Sequence, residues 1–226
     1  MKQLQKRDYL IGFSALIYGF FLFFNLLNNL LSRTSEVWRF FYQFTQQSNL
    51  ISSIWLILLG LSTFFNWEKI YTFVTKKIVI VAITVYISIT FFIVLFILNP
   101  VFAGRWIPLA NTYEFLFHNA TTIVIWFFFF LVKGHGTLNH KQIPLVLLYP
   151  LFYVILNLIV GYSTTYLSGQ AAFAYGFINP GTYGNNFILY ILVLLVLLAI
   201  FTLFTLGLMA FKKRVNHLYY DELDKS

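Results

Sequence analysis

Thr45, Ser48, Asn49 and Ser52 follow one another at i, i+3, i+4 and i+7, the spacing that puts side chains on one face of a helix. Glu114, His118, Thr121 and Thr122 share a face in the same way further along the chain. A hydroxyl beside an imidazole is the least that nucleophilic acyl transfer needs, because a neutral Thr attacks poorly until a base takes its proton. Gln46 and Asn49 add amides able to donate to an oxyanion. The plainer reading of both faces is that small and amide side chains hold helices together, as they commonly do in lipid.

Other chemistry is narrowed by what is missing. The chain has no cysteine, which removes disulfides, thiolate metal sites and a cysteine nucleophile. Neither a G-x-S-x-G elbow nor an H-E-x-x-H metal helix occurs. Asp8, Asp221 and Asp224 are the only aspartates and lie outside the apolar stretches, which excludes a paired intramembrane aspartyl protease. His135, His140 and His217 belong to polar connecting segments without carboxylate or thiolate partners. Neither a metal nor an organic cofactor is expected. The sequon Asn119-Ala120-Thr121 falls inside an apolar stretch and carries no meaning there.

The elements that must position these residues are transmembrane helices. The chain is 60% hydrophobic and 10% charged over 226 residues, with a mean hydropathy of +0.79, well outside soluble globular composition. A helix crosses the hydrocarbon with about 20 apolar residues. Six stretches qualify: Tyr9–Leu31, Thr45–Phe65, Ile78–Leu98, Tyr113–Val132, Ile143–Ser163 and Phe187–Phe211. None alternates with period two, so a β-barrel is not expected. The fold class is therefore an all-α, six-helix bundle in a single domain spanning residues 1–226. Pro150 falls inside the fifth stretch and should kink it.

Orientation follows the distribution of Lys and Arg. Twelve of the 15 basic residues lie before the first stretch, in the second and fourth connections, and after the last one. Arg33, Arg39 and Arg105 occupy the other side. That asymmetry places both termini in the cytoplasm. It also accounts for the net charge of +8 as a topological signal, so no nucleic-acid partner is expected. The fifth connection, Thr164–Asn186, has no charge and carries Tyr166, Phe173, Tyr175, Phe177 and Tyr183. Such a segment serves as an interfacial loop with aromatic anchors, or as a cap over the outer end of the bundle.

Several of these segments resemble one family. Phe44-Thr45-Gln46-Gln47-Ser48-Asn49-Leu50 is similar to the F-T-x-Q-S-N opening of the second helix in bacterial six-helix integral membrane proteins. Those proteins are relatives of the androgen-induced and androgen-dependent tissue-factor-pathway-inhibitor-regulating proteins. His118 with Thr121-Thr122 resembles that family's fourth helix. Tyr149-Pro150-Leu151-Phe152-Tyr153 through Asn157 and Gly161 resembles the fifth. Tyr175-Gly176-Phe177-Ile178-Asn179-Pro180 looks like a variant of its Y-P-Y-x-F-L-D segment.

The eukaryotic members hydrolyse fatty acid esters of hydroxy fatty acids with an intramembrane Thr and His. By position the resemblance implies Thr45 as nucleophile and His118 as base. Gln46, Ser48, Asn49, Glu114, Thr121, Thr122, Asn157 and Tyr175 are the further candidates for substrate or oxyanion binding, with Glu114, one turn before His118, placed to orient it as a carboxylate. The chain departs from the family by lacking a proline after the histidine and by carrying Asn179 where the Y-P-Y segment has an acid.

The expectation is a multi-pass protein of a bacterial cell membrane that hydrolyses a long-chain lipid ester. An acyltransferase working through the same acyl-threonine, and a non-enzymatic lipid-binding or transport protein, stand as alternatives. Thr45 and His118 should sit within a few ångströms of each other on one cavity in the outer half, reached laterally by a lipid-like substrate. The sequence says nothing of oligomeric state.

Overall fold

The computed structural model describes residues 4–32, 37–96, 115–168, 173–184 and 186–220. Among them every regular element is helical: α1 (Lys6–Leu31), α2 (Val37–Tyr42), α3 (Phe44–Phe64), α4 (Glu68–Val74), α5 (Lys77–Ile93), α6 (Thr121–Leu131), α7 (Ile143–Ser168) and α8 (Phe187–Tyr220). A π-helical turn, Leu116–Ala120, runs directly into α6. Among the described residues five helices are long and apolar enough to cross a membrane, and Leu116–Leu131 is a shorter apolar one. The chain is thus a helical protein built for lipid. The short helices α2 and α4 lie between spans, where hydropathy carries no signal.

Outward-facing Phe13, Phe20, Phe24, Ile155, Ile188 and Leu203 are exposed, as expected where lipid replaces water as the solvent. Inside, α1 and α3 make the most extensive pairing. It depends on small residues: a Cβ added to Gly60 would stand 2.6 Å from the Gly12 carbonyl oxygen. Ser53 donates to the Gly19 carbonyl across the same seam at 2.9 Å. Small side chains that let backbones approach are how helices associate without a hydrophobic drive.

Pro150 lies within α7 and has no N–H to offer the carbonyl four residues back. That carbonyl, on Val146, accepts instead from the Tyr86 hydroxyl of α5 at 3.0 Å. The proline that should weaken α7 thus joins it to α5.

At one end of the bundle the carbonyls closing α6 are capped by groups remote in sequence. Arg7 of α1 donates to the Leu131 carbonyl at 3.1 Å. Lys212 of α8 donates to the carbonyls of Phe129 and Val132 and lies 4.9 Å from the centroid of the Phe129 ring. Asn216 donates to Gly134 at 2.6 Å. Cations at a helix C-terminus meet its partial negative charge. Lys212, one of the basic residues counted for topology, is fully buried. At the same end the His135 backbone N–H donates to the Thr75 carbonyl at 3.0 Å and the Lys77 N–H to the His135 carbonyl at 2.9 Å.

Candidate functional site

Helix α3 starts at the opposite end with its first amides unprovided for, since its N-cap residue Gln43 makes no side-chain cap. Two tyrosine hydroxyls take that place. The Phe44 N–H donates to Tyr153 of α7 at 3.1 Å, and the Thr45 N–H donates to Tyr175 at 3.4 Å. The Tyr175 hydroxyl also lies 3.1 Å from the Thr45 hydroxyl oxygen. A phenol has two acceptor sites and one proton, so it can accept from the Thr45 amide and hydroxyl together.

Tyr175 is held there by α7. Asn157 is fully buried; its Nδ2 donates to the Tyr153 carbonyl at 3.1 Å and its Oδ1 accepts from the Ala174 N–H at 3.2 Å. One turn on, Gly161 leaves the space that the Phe173 ring fills, so any side chain there would strike the ring. The Tyr175 and Phe177 rings stack with an interplanar angle of 7° and centroids 5.4 Å apart. Asn157 and Gly161, four residues apart on one helix face, thus dock the segment that carries Tyr175.

Beneath this segment lies a cavity of about 310 Å³. Its polar end is formed by Thr45, Thr90, Tyr153 and Tyr175. Its body is apolar, with Ile93 and Val94 at the end of α5, Pro150 and Val154 on α7, and Leu198 and Phe201 on α8 among the lining. Leu151, Ile155 and Leu195 line it too and are exposed on the outside of the bundle. The cavity therefore reaches the apolar surface between α7 and α8. It could hold an alkyl chain with a polar group against Thr45.

The remaining sequence-derived residues sort as follows. Ser48 bonds to the Thr90 hydroxyl at 2.9 Å and to the Thr45 carbonyl at 3.1 Å. Asn49 donates from Nδ2 to the Thr45 carbonyl at 2.8 Å and to the Phe117 carbonyl at 2.9 Å, tying α3 to the π turn beside His118. Gln46 is buried, and Gln46 Oε1 and Asn49 Oδ1 have no hydrogen-bond partner. Thr121 and Thr122 bond within their own turn and to neighbouring helices, Thr121 also lying 3.2 Å from the Tyr18 hydroxyl of α1. Thr121 donates to the Leu116 carbonyl at 3.0 Å, and Thr122 bonds to the carbonyls of His118 and Ile87 at 3.1 and 3.3 Å. Glu114 lies outside the described residues.

His118 sits on the π turn, where the Thr121 N–H reaches back to the Leu116 carbonyl. Its Nδ1 is buried with no hydrogen-bond partner among the described residues. The structure brings Thr45 together with Tyr175. No hydrogen bond among the described residues joins Thr45 to His118, and His118 is not part of the cavity wall. Tyr153 and Thr90 were not singled out from sequence. Tyr153 closes the Tyr149–Tyr153 segment that carries the resemblance and stands one helical turn before Asn157, signals that could have marked it. Among the described residues no three His, Asp or Glu side chains gather as a metal site requires.

Comparison with protein-family models, with curated proteins and with solved structures gives no match.

Proposed function

We propose that the protein is an intramembrane hydrolase of long-chain lipid esters, with Thr45 as its nucleophile. The observation that carries this reading is the meeting of the Thr45 hydroxyl with an apolar cavity that reaches the lipid-facing surface. An acyl chain entering between α7 and α8 would bring its ester to the polar end formed by Thr45, Thr90, Tyr153 and Tyr175. The resemblance of Phe44–Leu50 and of the Tyr149–Gly161 stretch to the six-helix hydrolase relatives points to the same chemistry. That resemblance would make His118 the base. Since no described hydrogen bond links it to Thr45, the proposal rests on Thr45 and the cavity.

The wider setting belongs to the same proposal: six spans with both termini in the cytoplasm of a bacterial cell, and the Thr45 end outward. On this arrangement the substrate arrives from the outer leaflet. Transfer of the acyl group from threonine to an alcohol rather than to water would use the same intermediate. A second reading, a lipid carrier without turnover, is favoured by the almost wholly apolar lining.

The test is hydrolysis of a long-chain fatty ester by purified protein in detergent micelles. Thr45→Ala should lower turnover by at least ~100-fold, as loss of a nucleophile does, while the protein still purifies as a folded species. Near-normal turnover in Thr45→Ala would rule out the threonine mechanism. Binding of the ester by wild-type protein without any turnover would favour the carrier.

A further inference from the structure

The atom beside the Thr45 hydroxyl oxygen is not a histidine nitrogen but the Tyr175 hydroxyl oxygen, 3.1 Å away. The same hydroxyl faces the Thr45 amide at 3.4 Å, and Tyr175 is part of the cavity wall. When the amide N–H and the Thr45 O–H both donate to it, an arrangement the two distances allow, the phenol proton is left to point into the cavity. That is where an ester bound against Thr45 would have its oxygen atoms. Burial raises the Tyr175 phenol above its ordinary value, against the opposing pull of its hydrogen bonds with the Thr45 side chain and with the Thr45 and Phe44 backbone. The group thus carries its proton at neutral pH.

We propose that Tyr175 is a catalytic residue that carries the proton from Thr45 to the leaving alcohol. The proposal rests on Thr45 being the nucleophile. As the Thr45 oxygen bonds to the acyl carbon, its proton passes to the Tyr175 oxygen. The bond from the acyl carbon to the alkoxy oxygen breaks, and the departing oxygen takes the proton that Tyr175 held. The products are acyl-threonine, a free alcohol and a tyrosine with its hydroxyl restored. In the second half a water molecule takes the alcohol's place. Its oxygen bonds to the acyl carbon, its proton passes to Tyr175, and Tyr175 protonates the Thr45 oxygen as the acid leaves.

No charged group is left on the protein at any stage. That suits the surroundings, since an isolated charge in an apolar environment is very costly. An imidazolium formed beside this cavity would have no described carboxylate to balance it. The exchange does not use His118. The docking by Asn157 and Gly161 acquires a purpose here: it fixes the height of a hydroxyl that must serve two oxygens in turn.

Leaving-group dependence tests the proposal, with p-nitrophenyl and ethyl esters of the same long-chain acid as the probes. A p-nitrophenolate departs without help, whereas an ethoxide needs a proton as it leaves. Tyr175→Phe keeps the ring that stacks on Phe177 and removes only the hydroxyl. The expected result is a fall of at least ~100-fold in kcat/KM for the ethyl ester, the usual scale of general acid–base assistance, with a much smaller fall in kcat/KM for the p-nitrophenyl ester, since kcat/KM reports the acylation half alone. The surviving p-nitrophenyl activity also reports that the variant is folded. An equal fall on both esters would mean that the hydroxyl only tethers the segment, and an unchanged ethyl-ester rate would mean that it does nothing in the reaction. Either overturns the proposal. Thr45→Ala in parallel separates the two readings: if it turns over both esters normally, the threonine mechanism itself has failed.

Discussion

At the scale of single residues, a threonine is a poor nucleophile whose reactivity is decided by its neighbour, and here the neighbour is Tyr175. Thr45 itself was legible in the sequence, because a run of hydroxyl and amide residues opening an apolar stretch has to face inward. Tyr175 was legible as a candidate but not as the neighbour of Thr45. Tyr175 lies 130 residues away, and no local pattern sets which side chain covers the first turn of α3. His118, expected as the base, sits on the π turn and makes no described hydrogen bond to Thr45. On the proposed path, in which the proton of Thr45 passes to Tyr175, His118→Ala should retain turnover of the long-chain ester well above that of Thr45→Ala. Steady-state rates of the two variants at matched protein concentration check this. Equal and complete loss in both would return the role of base to His118.

At the scale of elements, hydrophobic runs marked the spans because the hydrocarbon demands them, and α1, α3 and α8 begin or end within a few residues of the expected bounds. Helix α7 continues to Ser168, one turn beyond the expected stretch, since a helix may run on past the apolar region. The π turn and the short helices α2 and α4 were not legible, because they depend on packing rather than hydropathy. Helix α7 also positions the site, through Asn157 and Gly161. Asn157→Ala would leave the Ala174 amide without its partner, a loss of about 1 kcal/mol. The segment should then lift from α7 about fivefold more often. In this cysteine-free chain, Ala174→Cys should react with a maleimide faster by that factor when Asn157→Ala is added. An unchanged rate would mean that the amide contact does not hold the segment down.

At the scale of the whole molecule, charge was read as topology, and the structure adds a second layer to it. Arg7, Lys77, His135 and Lys212 belong to four different parts of the chain yet meet at one end. The elements that sequence assigned to the cytoplasmic side are therefore packed together. The burial of Lys212 was invisible to a count of charges, because a lysine that caps α6 and one that faces water look the same in sequence. With single cysteines at Thr34, Ala110, Gly169 and Gly134 in intact cells, an impermeant maleimide should label the first three and spare Gly134. Labelling of Gly134 from outside would break the proposed orientation and with it the outer-leaflet route to the cavity. Function meets fold at Thr45. The most direct measurement is peptide mass mapping after the protein is mixed with a long-chain p-nitrophenyl ester and quenched in acid. The account predicts an acyl adduct on the peptide containing Thr45, absent in Thr45→Ala. Steady ester hydrolysis with the adduct on another residue, or with none, would contradict it.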